Sequence, residues 1–191
     1  MTTPQAVLEF WFGVPGSPEH GKPRDVWFKK SDAFDAAVRE RFLSLYETAA
    51  SDGLSTWEAT PQSLLALIIA LDQFPRNMFR DNARAYATDA AALAASERMV
   101  ARGRNLELGP LERWFAYLPY EHAENLVLQR RSLELFGRLA ADAGLDEPLA
   151  WARKHHDVIY RFGRFPQRNA PLRRESTREE IEFLGQPGSA F

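Results

Sequence analysis

At 191 residues the chain has the length of one compact domain and can bury a sizeable core without disulfide or metal staples. It contains no cysteine, which excludes disulfides, thiolate metal sites and a cysteine nucleophile. Its net charge of −2 supplies no field that would draw it onto nucleic acid or an anionic membrane, so neither is an expected partner.

Residues 45% hydrophobic and 26% charged are an ordinary globular mixture, so the whole of 1–191 is expected to fold as a single domain. The longest apolar run, Leu64–Leu71, is far short of the roughly 20 residues that a membrane helix needs. The start "MTTPQAVLEFWFG" has neither a basic n-region nor a small-residue cleavage site, and the expected location is the cytoplasm.

In chain order, Thr3 as a cap and Pro4 in the first turn open a helix that Gly13 closes, and a loop follows over 14–23. From Ser31 or Asp32, the spacing of Phe34, Val38, Phe42, Leu45 and Ala49 predicts an amphipathic helix ending near Gly53. Thr60 and Pro61 open a helix apolar on nearly every side, which belongs at the centre of the fold and which Pro75 should end or kink. Thr88 or Asp89 can cap the next helix, and "GPLERWFAYL" forms a short one before Pro119. The longest helix is predicted to run from Tyr120 to Gly144, followed by one opening at Asp146 and Pro148. "STREEIEFL" carries a capping-box pattern, Ser176 with Glu179 or Thr177 with Glu180, ahead of a tail over 185–191. No stretch alternates as a strand does. The expected fold is all-α, seven or eight helices packed as helical hairpins, although no clean repeat of the tetratricopeptide kind is present.

Polar groups crowd where two apolar helical patterns stop, "LDQFPRN" at Leu71–Asn77 and "RFGRFPQRN" at Arg161–Asn169. In the first, Arg76 and Asn77 suit an anion; alternatively Asp72 pairs with Arg76 while Asn77 satisfies backbone groups freed at the helix end. In the second, Arg161, Arg164, Arg168, Arg173 and Arg174 follow one another without an acid, and guanidinium forks suit carboxylates and phosphates. The alternative there is a solvated basic edge paired with Glu179, Glu180 and Glu182. A third candidate is "LPYEHAEN", read as the first turns of the long helix. Glu121 and Glu124 complement its dipole, and His122 near several arginines suits general acid or base work. At His155-His156-Asp157 the two rings point about 100° apart, so they cannot chelate jointly. One packs inward, and Asp157 pairs with Arg161. Nucleophile-elbow, P-loop, dinucleotide and metal-ligand motifs are absent, so no cofactor and no metal is expected.

Taken together, "VLEFWFG", "LDQFPRNMFR", "AYATD", "YLPYEHAE" and "RFGRFPQRNAPLRRESTREEIEFL" resemble the bacterial domain of unknown function 924 family, in order from Val7 to Leu184. The resemblance implies an all-helical, tetratricopeptide-like fold and no established activity. The family's hallmark segments fall on Asp72–Asn77, on His122 and Glu124, and on Arg161–Asn169. Two residues depart from it: Gln167 stands where the family leads one to expect histidine, and Arg173 where it leads one to expect glycine. If the family's chemistry needs that histidine, this member binds without turnover.

The leading expectation is a polar pocket for a small anionic ligand or peptide terminus at which the two segments converge. Arg76, Arg164 and Arg168 would bind the anion, Asn77 and Asn169 would orient it or brace the loops, and Asp72 would hold an arginine. His122 and Glu124 would line the opposite wall. One alternative is a metal-independent hydrolase or lyase that uses His122 as acid or base. The other is a scaffold for a protein partner, in which the polar clusters only hold helices together.

Overall fold

Thr3 Oγ1 accepts the Ala6 N–H at 3.2 Å and Pro4 takes the first helical position, which starts α1 (Pro4–Phe12) in the computed structural model. The structure describes residues 2–189, so Met1 and the last two positions of the expected tail lie outside the described residues. Gly13 ends α1 with φ +90°, and a Cβ there would stand 3.0 Å from the His20 backbone nitrogen, so only glycine fits this turn. The loop that follows returns to satisfy the end of α1. Arg24 donates to the carbonyls of Phe10 and Trp11 at 2.7 and 2.8 Å, and Trp27 Nε1 donates to Trp11 O at 3.0 Å.

Ser31 caps α2 (Asp32–Ala50), whose buried side is Val38, Phe42, Leu45, Tyr46 and Ala49. Thr60 and Ser63 cap each other reciprocally at the start of α3 (Pro61–Met78). Every residue of α3 from Leu64 to Pro75 is buried, and α1, α2 and α4 (Asp89–Ala101) all pack on it. This helix is the centre the sequence predicted, but Pro75 does not end it. The carbonyl that Pro75 leaves without an N–H is that of Leu71, and Thr88 Oγ1 donates to it at 2.5 Å. Thr88 therefore stands at the head of α4 without capping it.

After α5 (Pro110–Glu121), α6 (Leu126–Ala143) and α7 (Asp146–Phe162) pack on each other, as the short loop between them implies, and α8 (Arg178–Leu184) is the last helix. Thr177 and Glu180 form the capping box of α8, the second of the two registers expected. The helix predicted over Tyr120–Gly144 is instead two pieces. Asn125 is extended and its Oδ1 accepts from the N–H groups of Val127 and Leu128 at 2.9 and 3.2 Å, which starts α6 afresh. Gln129 Nε2 donates to Glu121 O at 2.6 Å and to Ala123 O at 2.9 Å, satisfying the end of α5. Helix α5 also runs through Pro119 rather than stopping before it. The proline removes one helical bond, from its own position to the Phe115 carbonyl, and only Tyr120 and Glu121 follow it in the helix.

The described residues thus form eight α-helices, linked in part by 3₁₀ turns, and no strand. They divide into two compact units, the first being the chain up to Arg80 with Arg84–Pro119, the second Asp81–Ala83 with the chain from Tyr120 onward. An aromatic cluster fills the first: Trp11 meets Trp27, Phe34, Phe74 and Phe115 at ring separations of 5.5–6.3 Å. Burying each such ring contributes roughly 1.5–3 kcal/mol. In the second, Val158, Ile159 and Phe165 pack with Leu126, Phe162 and Phe183. No helix among the described residues is long and apolar enough to cross a membrane.

Candidate functional site

The two Phe-Pro segments fall one in each unit. In the first unit Asp72 is fully buried, and its Oδ2 accepts from Gln73 Nε2 at 2.6 Å. Arg76 Nη1 lies 3.2 Å from Asp72 Oδ1 and donates to the Asp72 carbonyl at 2.6 Å. The same guanidinium makes a two-pronged bond to Asp89, at 2.9 and 3.1 Å. Burial opposes the charge on Arg76, but Asp72 and then Asp89 outweigh it and hold its pKa above the ordinary arginine value. One cation between two carboxylates is already neutralised by the protein. Asn77 donates to Asp35 Oδ1 at 2.7 Å, and the other arm on Asp35 is Arg80. Burial raises the Asp35 pKa, but the Arg80 and Asn77 bonds more than reverse this and leave it lowered. The Asp72–Arg76 pair of the alternative reading is therefore present, extended by Asp89 and Asp35 into a brace tying α2, α3 and α4.

In the second unit Glu180 receives the Arg164 fork at 2.7 and 2.8 Å, the Thr177 N–H at 2.7 Å and Asn169 Nδ2 at 3.2 Å. The Arg164 bonds are the main reason that its pKa falls to about 2. Glu124 receives the Arg174 fork at 2.6 and 2.9 Å and the Phe165 N–H at 2.7 Å. Burial works against its charge, yet Arg174 and the Phe165 N–H hold its carboxyl below the usual range. Arg174 reaches on to Asn169 Oδ1 and Phe165 O, both at 3.0 Å. Glu124, expected to line a wall, is thus engaged on both oxygens. Arg161 pairs with Glu179 at 2.7 Å rather than with Asp157, which instead meets His156 at 3.1 Å. Arg161, Arg164 and Arg174 all sit on acids of their own unit, Glu179, Glu180 and Glu124.

A second polar group lies where α5 gives way to α6. Because α5 ends at Glu121, the His122–Asn125 segment is a link, not the first turns of the long helix that were expected. Glu121 is 2% exposed, and its Oε1 is 3.0 Å from His155 Nδ1. The same nitrogen lies 3.0 Å from Trp151 O. Both partners of Nδ1 are acceptors, so the proton is on Nδ1 and, in the neutral ring, Nε2 is the acceptor. The His122 ring is 6.2 Å from that of His155, and Phe165 presents a perpendicular ring to His155 at 5.5 Å. Arg168, itself buried, lies over the Phe165 ring at 4.5 Å and helps to keep Glu124 ionised. Of the residues expected at a site, His122, Glu124, Arg164, Arg168 and Asn169 share this unit, and Asp72, Arg76 and Asn77 belong to the other.

Sequence reasoning passed over Glu121 and His155 as a pair. That one histidine packs inward was foreseen, and His155 is the one. The signal that could have singled it out is periodicity, since Ala152, His155, Val158 and Ile159 share the buried face of α7. No local signal pointed to Glu121. Among the described residues no three of His, Asp and Glu stand together in a way that would hold a metal ion.

The chain belongs to a family described as bacterial protein of unknown function (DUF924), whose model matches residues 7–188. Its structure is similar to that of a protein of unknown function, ATU0120 from Agrobacterium tumefaciens, with a TM-score of 0.84. The two are 38% identical over 95% of this chain and 96% of the other. No curated protein matches the chain.

Proposed function

We propose that this protein binds a small anionic molecule or a peptide terminus at the polar group of its second unit, with Arg168 toward the anion and His122 and His155 lining the site. The observation that carries this reading is the buried Glu121–His155 pair with His122 beside it. A carboxylate that fixes an imidazole tautomer in a buried setting is costly for a fold to maintain and useful to a ligand site. Arg76 and Arg164, also expected to hold the anion, serve the braces, whereas Arg168 lies over the Phe165 ring that meets His155 edge-on.

The same pair favours one further reading, a metal-independent hydrolase or lyase. There Glu121 orients His155, His155 Nε2 takes a proton, and His122 supplies or receives one across the site.

The test is a thermal-shift panel of small carboxylates, phosphates, nucleotides and short peptides on the full chain. A ligand at about 100 times its Kd stabilises by roughly 2.7 kcal/mol. The shift should persist in Arg76→Lys and vanish in Arg168→Ala and His122→Ala. Silence across the panel, or shifts that the Arg168 and His122 variants retain, would remove the proposal. For the catalytic reading, a hit that turns over should lose its rate in His155→Gln while still binding.

A further inference from the structure

Three buried oxygens of this unit have no hydrogen-bond partner: Glu121 Oε2, Gln129 Oε1, whose amide nitrogen bonds the Glu121 carbonyl, and Ser132 Oγ. Glu121 is 2% exposed, and Gln129 and Ser132 are fully buried. The orientation of the Gln129 amide is fixed by its neighbours. Its nitrogen donates to the carbonyls of Glu121 and Ala123, which can only accept, so the oxygen is the atom left over. Ser132 lies three positions on, along the same side of α6. Glu121 Oε1 meets His155 Nδ1, so Oε2 is the oxygen of that carboxyl group left without a donor. Buried polar atoms are nearly always satisfied; Glu121 Oε2 and Gln129 Oε1 call for a donor, and the Ser132 hydroxyl can accept as well as donate.

We infer that the ligand of this site carries a primary ammonium group, received by Glu121 Oε2 with Gln129 Oε1 and Ser132 Oγ as further acceptors. An ammonium has three N–H donors and no acceptor, which matches three oxygens of which one is charged. The inference rests on the proposed site and names its substrate class: with the anionic group directed to Arg168, the ligand is a zwitterion of the α-amino acid type. The two groups are read by different residues, so they can be tested separately.

The experiment is calorimetric titration of the full chain with alanine, leucine and phenylalanine, each beside the carboxylate lacking its amine and the amine lacking its carboxylate. Binding is expected for at least one amino acid, with the deaminated counterpart weaker by about tenfold or more, as loss of one charge-assisted bond implies. Glu121→Gln should erase that difference. Should this variant misfold by circular dichroism, Ser132→Ala provides the same comparison, with amine recognition weakened severalfold and carboxylate recognition unchanged. Equal affinity for an amino acid and its deaminated counterpart, or a preference untouched in both variants, overturns the ammonium assignment while leaving the anion site standing. No binding by any of these probes also overturns it, and a phosphate or nucleotide hit in the wider panel would then preserve the proposed function alone.

Discussion

Arg173 has φ +55°, in the left-handed region where a Cβ crowds the following carbonyl. The sequence had marked this residue as standing where its relatives lead one to expect glycine, and the backbone supplies the reason. Arg173→Gly should raise stability by about 0.5–1 kcal/mol in urea unfolding, once the greater freedom of glycine in the unfolded chain is set against the relieved strain. An unchanged or lowered midpoint would show that Arg173 compensates elsewhere. Histidine reads differently at this scale. That one of the two adjacent histidines packs inward was legible, and the period of α7 could have picked out His155, but Glu121 was not visible as its partner, because thirty-four positions separate them and nothing local couples them.

At the scale of the helix, Pro75 shows how a sequence rule is overridden. A proline near a helix end frees one carbonyl, and that carbonyl needs only one donor. Thr88, seventeen residues from Leu71, supplies it. Thr88→Val keeps the shape and removes the hydroxyl, and should cost about 1–3 kcal/mol through the unsatisfied Leu71 oxygen, with Thr88→Ser losing much less. Arg76→Ala strands Asp72 and Asp89 and should cost about 3–5 kcal/mol, read from the denaturant midpoint; retained stability would show that the brace is dispensable. The caps at Thr3, Ser31, Thr60 and Thr177 were legible because a cap is a local arrangement of side chain and backbone. The braces were half legible. Asp72 with Arg76 is one helical turn, whereas Asp89, Asp35 and the bond from Arg174 to Glu124 join residues that only the fold brings together.

For the molecule as a whole, acid is the sensitive direction. Glu180 has an ordinary value of 4.5 and a folded value of about 2, so its contribution is complete above 4.5 and is lost as the pH falls toward 2. Glu124 and Asp35 are shifted the same way and add to the same slope. The melting temperature should therefore fall across that window, and Glu180→Gln should start lower at neutral pH and fall less steeply. Parallel curves for the two proteins would assign the acid response to other groups.

The aromatic cluster has a spectroscopic consequence. Of the five tryptophans, Trp11, Trp27, Trp57 and Trp114 belong to the first unit and only Trp151 to the second. Intrinsic fluorescence will thus report chiefly on the first unit, while far-ultraviolet circular dichroism weighs the helices of both. Coincident melting curves from the two signals would mean that the units unfold as one cooperative body. Separated curves would give each unit its own stability, and Trp151→Phe would then leave the fluorescence transition almost unaltered.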